Sequence, residues 1–564
     1  MNACTRLLAA AATALAAIAA HAQVDVYSNG NIYTMDPDLP RAEAMLVDGG
    51  MIIGIGSAAD VRREMQEQGI RVIRKFDLGG RTVIPGLIDA HGHMISLGAI
   101  GLGMLDLRAA ASYEDVVDIV RDRASHVPAG TWIVGRGWDN ESWADKRLPH
   151  HDALSRAAPD HPVWIARVDG HAGLANAKAM ELAGVTRATE SPEGGEILRD
   201  ERGAPTGLFI DNAESLIARV VPEGLAGSAE ECILKAQEMC LAAGLTGVHD
   251  AGVSPAEVDV YAGLESQGKL KIRVYAMLHA PDAPNFFEFR APIDTFKLSV
   301  YSAKAYMDGA MGSRGAWLLE PYADRSAGPD GRPYTGLAVT QPDALEELAR
   351  HALAHNYQLC THAIGDRANR EVLDAYERAL ASADRPEGSP EPRFRIEHAQ
   401  LLDREDLPRF AELGVIASMQ PTHCTSDMRW VDARVGPERA EGAYAWASLL
   451  KSGATLAFGS DFPVESHNPF LGIYAAITRQ NGDGQPQGGF HPDERLTREE
   501  AVRAFTLGAA YAAFWDERIG TLEGGKLADF IVLDRDIMTC DAAEIPQTRV
   551  LKTYSFGELV YEAK

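Results

Sequence analysis

The sequence predicts an α/β protein: a closed (β/α)8 TIM barrel flanked by a small β-sandwich built from both ends of the chain. Three observations carry this expectation. From residue 83 to 515, apolar strand-like runs alternate with amphipathic helical patterns, as parallel strands joined by helices require. Eight such runs are present if "TVIPGLIDAH" is the first, and eight units close a barrel. The flanking stretches, 23–82 and 516–564, are instead short β segments broken by Asn, Gly and Asp turns.

Taken in order, the chain opens on an export signal, residues 1–22. Arg6 supplies a positive start, Leu7 to Ala20 an apolar run, and Ala20-His21-Ala22 a small-residue cleavage site. The run is shorter than the ~20 residues that span a bilayer. The mature chain is therefore expected from Gln23, periplasmic or secreted. "VDVYSNGNIYTMD" and "EAMLVDGGMIIGIGSAADV" read as paired strands. Gly54-Ile55-Gly56 imitates a dinucleotide fingerprint but lacks the βαβ context and the following acid. After the first barrel strand, residues from about 100 to 240 exceed one βα unit. This stretch, with "TWIVGRGWDNESW" and "PVWIARVDGHAGLANAKAM", reads as an inserted subdomain covering the substrate. Barrel strands resume at "GLTGVHDAG", "KIRVYAMLH" and "SAKAYMDGAMGSR". A helix over 343–355 leads to "NYQLCTHAIGD", one near 368–382 to "RFRIEHAQ", and one near 403–413 to "GVIASMQPTH". "SGATLAFGSDFP" completes the eight. Thr497-x-x-Glu500 is a capping box opening a helix through Ala512.

Charge and composition exclude several classes. A formal net charge of −26 repels nucleic acid and anionic membranes. No apolar run beyond the signal reaches ~18 residues, so no membrane association is expected after its cleavage. Cys232, Cys240, Cys360, Cys424 and Cys540 are odd in number, widely spread and contain no Cys-x-x-Cys, which argues against structural zinc. They read as small buried residues.

Chemistry collects where the strands end. The first ends in His91 and His93, the second in His249-Asp250. Lys304 lies on the fourth, Thr361-His362 on the fifth, Glu397-His398 on the sixth. His423 follows the seventh and Ser460-Asp461 the eighth. A lone histidine is usually a packing or surface group. Their recurrence at strand C-termini, where barrels keep their functional groups, points to a metal site. Imidazole and carboxylate suit zinc, iron, nickel or manganese rather than calcium. Strand alternation turns Glu397 away from that site. Asp366 is expected to cap the next helix. His249 and Asp250 are expected to orient the ligands. His171 and Trp138 of the insertion are placed on the substrate pocket.

The motifs "PGLIDAHGHM", "GLTGVHDAG", "AKAYMDGAMGSR", "THAIGDRANREVL", "FRIEHAQ", "SMQPTH", "FGSDFPVE" and "GTLEGGKLADFIVLD" occur in an order that resembles the amidohydrolase superfamily, in the branch that includes N-substituted formamide deformylases. The resemblance implies one or two divalent transition metals, zinc foremost. His91, His93 and Asp461 would hold one, His362 and His398 a second, with Lys304 bridging as a carbamate. It further implies Asp461 as general base and acid, and His423 as an oxyanion or substrate contact. The reaction expected is hydrolysis of carbon–nitrogen bonds other than peptide bonds, in a small-molecule amide such as an N-acyl or N-formyl amine. Lactone or ester hydrolysis and deamination are the rival chemistries. Mononuclear deaminases of this superfamily usually lack the bridging lysine. A periplasmic binding or regulatory protein without activity is the rival class. A homo-oligomer is compatible with all of these.

Overall fold

The structure, a computed structural model, describes residues 24–564 except 71, 223, 329–330 and 383–387. The expected export signal lies outside these residues. Its centre is a parallel barrel. The strands are β1 (Leu87–Gly92), β2 (Leu245–Val253), β3 (Arg273–His279), β4 (Leu298–Tyr306), β5 (Gln358–Ala363), β6 (Arg395–His398), β7 (Ile416–Met419) and β8 (Leu456–Phe458). They are hydrogen-bonded in sequence order, each parallel to the next. Most of their residues are buried on both faces, which is why they read as continuous apolar runs rather than alternating ones.

The seam between β8 and β1 closes by side chain and loop. Asp89 accepts hydrogen bonds from Ser460 N at 3.0 and 3.1 Å and from Ser460 Oγ at 2.6 Å. Asp461 N donates to His91 O at 2.7 Å, and His93 N to Phe462 O at 2.8 Å. A side chain on Gly459 would collide with Asp89, so only glycine admits this approach.

Amphipathic helices cover the barrel. Pro342–His355 buries Leu345, Ala349, Ala352 and Leu353. The Thr497–Glu500 capping box is present, but its helix passes through a π-turn at Ala504–Gly508 before ending at Ala512. Asp366 is the first residue of helix Asp366–Ser382 rather than the residue before it; its carboxylate accepts from Arg367 N at 2.9 Å in the first turn and from Leu319 N at 2.8 Å, holding a loop.

The insertion between β1 and β2 carries its own six-stranded sheet, in the order Gly195–Arg199, Pro205–Asp211, Ala172–Ala175, Val163–Arg167, Ile133–Trp138, Leu105–Asp106. Trp138 and Trp143 sit in its core. Arg434 near the barrel rim pairs with its Glu141 at 2.5 Å, and Arg429 with its Asp139 at 2.7 Å.

The chain ends form two further sheets, of four and six strands. "TVIPGLIDAH" is not one strand. Thr82–Pro85 joins Asn31–Tyr33 and Phe530–Leu533 in the terminal sheet, and the chain breaks at Gly86 before entering the barrel as β1. A Cβ on Gly86 would collide with Thr246 of β2. A buried ion pair, Arg273 Nε to Asp529 Oδ2 at 2.8 Å, ties β3 to this terminal unit. All five cysteines of the described chain are free thiols.

Candidate metal centre

The C-terminal ends of β1, β4, β5 and β6, with the segments after β7 and β8, converge on one point. His91 Nε2 lies 3.0 Å from Lys304 Nζ and 3.9 Å from Asp461 Oδ1. His93 Nε2 lies 3.0 Å from the same Asp461 oxygen. The His398 ring is 4.9 Å from that of His91 and 4.5 Å from that of His362. His423 Nε2 lies 3.7 Å from Asp461 Oδ2.

Each of three histidines is aimed by its other nitrogen. His91 Nδ1 bonds Glu397 Oε2 at 2.5 Å, His93 Nδ1 bonds Ala251 O at 3.0 Å, and His398 Nδ1 bonds Gln420 Oε1 at 2.7 Å. With the Nδ1 proton committed outward, Nε2 presents a lone pair inward. Burial, then the neighbouring cations and imidazoles, holds His362 and His398 well below the ordinary imidazole range and His91 at about 4. Neutral imidazole is the ligating form. Burial opposes the charge on Asp461, but the adjacent His93 and then the other surrounding imidazoles keep its carboxyl well below the usual range. Burial brings Lys304 down to about 8.

These residues fit a divalent cation. His362 Nε2, His423 Nε2 and Asp461 Oδ1 are buried without a hydrogen-bond partner. Lone pairs left unpaired in this way are costly unless something electropositive takes them. Two donor sets, His91/His93/Asp461 and His398/His423/Asp461, each gather one atom per residue within 4.8 Å. The second differs from the expected pairing of His362 with His398: His423 joins the cluster, and His362 stands beside it with Nε2 3.6 Å from Asp308 Oδ1.

Two ligand candidates sit in the left-handed region, His398 at φ 74° and Asp461 at φ 56°. Such conformations cost a non-glycine residue about 1–3 kcal/mol and collect at functional sites. The turn at His398 also corrects the reading of Glu397. Regular alternation would send the two side chains to opposite faces. Because the chain kinks at His398, both serve the site: His398 faces the centre and Glu397 holds His91 from within the barrel. Arg395 braces this arrangement. Its Nε lies 2.7 Å from Glu397 Oε1, and it donates to Ala90 O, Ser418 Oγ and His249 Nδ1. His249 thus stands behind the site, linked to His91 through Arg395 and Glu397. Asp250 accepts from Met94 N at 2.9 Å and fixes the start of the helix after His93.

Two cavities open on the centre. The first, about 310 Å³, is lined by Asp139, Arg167, His423, Asp427, Arg429 and Trp430 among others. The second, about 360 Å³, is lined by Ser96, Arg136, Asp211, Glu214, Lys304 and Tyr306 among others. Asp169, His171, His362, His398, Asp461 and Val464 border both. His171 is therefore on the pocket wall, its ring 4.8 Å from that of His362. Its Nδ1 bonds Asp211 Oδ1 at 2.7 Å, and despite burial this carboxylate raises the imidazole to about 9. Asp211 itself is strained at φ 50° and enters a gap left by Gly309 and Gly315, where any side chain would overlap its carboxylate. Trp138 does not reach either cavity. It is fully buried in the core of the insertion, its Nε1 donating to Ile165 O at 3.0 Å, while its neighbours Gly137 and Asp139 face the pocket.

The sequence profile of the amidohydrolase family matches residues 74–561. The chain belongs to the amidohydrolase family. It is 35% identical over 551 residues to Protein LONG AFTER FAR-RED 3 of Arabidopsis thaliana, covering 95% of this chain and 91% of that one. It is 29% identical over 553 residues to the N-substituted formamide deformylase of Arthrobacter pascens, covering 95% and 97%. Among solved structures, an uncharacterized metal-dependent hydrolase of Pyrococcus horikoshii OT3 superposes with a TM-score of 0.73 at 28% identity, over 92% of this chain and 99% of that one. Membership of this family supports a hydrolase, with the buried His/Asp cluster as its candidate metal site.

Several residues that shape this amidohydrolase site escape a reading by strand ends. Gln420 and Arg395 carry no metal-ligand chemistry, and Asp211 comes from a strand of the insertion. The one local signal is Gly135-Arg136-Gly137, a charged residue between two glycines in an otherwise apolar strand.

Proposed function

We propose that this amidohydrolase cleaves carbon–nitrogen bonds other than peptide bonds in small amides, N-acyl and N-formyl amines foremost. The observation that carries the reading is the convergence of unpartnered imidazole and carboxylate atoms around a buried lysine, 3.0 Å from His91, beneath two cavities. His91, His93 and Asp461 would hold one divalent ion, zinc foremost, and His398 with His362 or His423 a second. Bound there, such ions polarise a carbonyl and lower the pKa of water. Lys304 would contribute as a carbamate: its neutral amine adds to carbon dioxide, one N–C bond forms, one proton leaves to solvent, and an anionic oxygen ligand results. Asp461 takes the proton of the attacking water and returns it to the departing amine. His171, anchored by Asp211, and His423 face the cavities and steady the carbonyl oxygen. A buried lysine in the cluster supports amide or lactone cleavage over mononuclear deamination. Residues 1–22 would direct the protein out of the cytoplasm.

The test is metal content of the purified protein by elemental mass spectrometry, followed by an N-acyl and N-formyl amine screen. About two transition metals per chain with amide turnover is the expected result. Lys304→Ala should lose most activity and one metal, with partial rescue by bicarbonate and a short carboxylic acid. Unchanged metal and rate in that variant would remove the bridging role. No metal and no turnover after zinc or manganese is added would leave a binding protein.

A further inference from the structure

The second cavity holds a cation that the reaction above does not use. Arg136 lies on strand Ile133–Trp138 of the insertion and lines the same cavity as Lys304 and Asp461. Its Nη2 donates to Val168 O at 3.0 Å, and its Nε is buried without a partner. Among the described residues no carboxylate oxygen lies within 4.0 Å of it. Its neighbours are not like this. Arg167 pairs with Asp139 and Asp169, Arg108 with Asp106, Arg434 with Glu141 and Asp324, and Arg395 with Glu397. An arginine does not shed its proton, and a half-buried guanidinium without an ion-pair partner is expensive. Glu214 lines the same cavity but stays beyond ion-pair distance, and burial pushes its carboxyl well above the usual range. The remaining acids are committed elsewhere: Asp211 to His171, Asp169 to Arg167, Asp461 to the centre.

We propose that Arg136 receives an anionic group of the substrate, so that the substrate class is an amide bearing a carboxylate, of which an N-acyl amino acid is the simplest case. This rests on the amide-hydrolase reading of the same site and narrows it. A planar guanidinium matches a carboxylate geometrically. The acids lining the cavity, Asp169, Asp211, Glu214, Asp308 and Asp461, favour a monoanion over a phosphate dianion. The carboxylate would sit on the insertion side of the scissile bond, leaving the first cavity for the rest of the molecule.

The test uses inert probes, so that it reads binding whether or not amides are turned over. 3-Benzoylpropionate replaces the amide nitrogen of an N-acyl amino acid with methylene; butyrophenone is its uncharged counterpart. Calorimetric titration of the metal-loaded enzyme should show the acid binding roughly 10- to 100-fold tighter, the worth of one charge-assisted contact. In Arg136→Gln the ratio should fall toward one through loss of the acid's affinity, with butyrophenone unaffected. Arg136→Lys keeps the charge without the planar fork and should reduce the ratio part-way; it decides the matter should the Gln variant not fold. Equal binding of the two probes, binding of neither, or a ratio unchanged in the variants overturns the proposal. A ratio that behaves as expected without any amide turnover would retain the subsite and reject the hydrolase reading.

Discussion

Glu397 and Gln420 show how much of the centre is set by residues that never touch a ligand atom. Each takes the Nδ1 of one histidine, and so decides which nitrogen faces inward and at what angle. Glu397→Gln removes the charge that holds His91 while keeping the size. Metal affinity should drop about 10- to 100-fold, the usual worth of such a partner, as read by competition with a chelating dye. An unaltered affinity would mean that packing alone orients His91. The histidines themselves were legible in the sequence because a barrel gives meaning to the end of every strand. Glu397 was not, because the alternation rule holds only while the backbone stays extended, and the chain leaves that region at His398. Trp138 was misread for a related reason. A bulge in the pairing of Ile133–Trp138 with Val163–Arg167 falls between Arg136 and Trp138, turning the tryptophan into the core.

At the scale of elements, the loop after β4 and the last strand of the insertion are built for each other. "DGAMGSRG" reads locally as a turn-rich segment, and nothing in it announces that Gly309 and Gly315 make room for a carboxylate arriving from another domain. Gly309→Ala places a methyl group where the Asp211 carboxylate stands. Overpacking of this kind costs about 1–3 kcal/mol, visible as a lowered Tm. If His171 depends on Asp211 for its position, kcat should fall while metal content is retained. A variant with normal turnover would show that His171 finds its place without this anchor. The insertion as a body was legible as surplus length between two barrel strands. Its six-stranded sheet was not, since those strands are short and several are half-exposed.

For the molecule as a whole, the alternation of strand and helix made the barrel legible, and the two β-rich ends announced their partnership. The contacts that bind barrel to sandwich were beyond reach, since they join residues distant in sequence. Arg273 and Asp529 form a buried pair across this junction. Asp529→Ala strands the guanidinium and should cost about 3–5 kcal/mol in chemical denaturation. Lys297 lies beside them, its Nζ bonded to Ser555 Oγ at 2.6 Å. Burial, then the Arg273 charge, pushes its amine down to about 7. From there up to the ordinary lysine range, the unfolded chain binds more protons than the folded one. Stability contributed by this group therefore rises with pH above about 7 and is least below it. Lys297→Met should flatten that rise in a series of melts between about pH 6 and 9, and a slope that persists would assign it to other groups.

The seam at Asp89 and Ser460 gives the protein an order of assembly. Candidate ligands run from His91 to Asp461, and the segment carrying Asp461 also latches the first strand to the last. A nascent chain that has exposed β1 through β7 has neither a closed barrel nor a complete centre. The candidate ligand set is therefore complete only once the segment carrying residue 461 has docked on β1. A chain interrupted before that point would be an open sheet with histidines at its rim, to be cleared by proteases rather than a partly active enzyme.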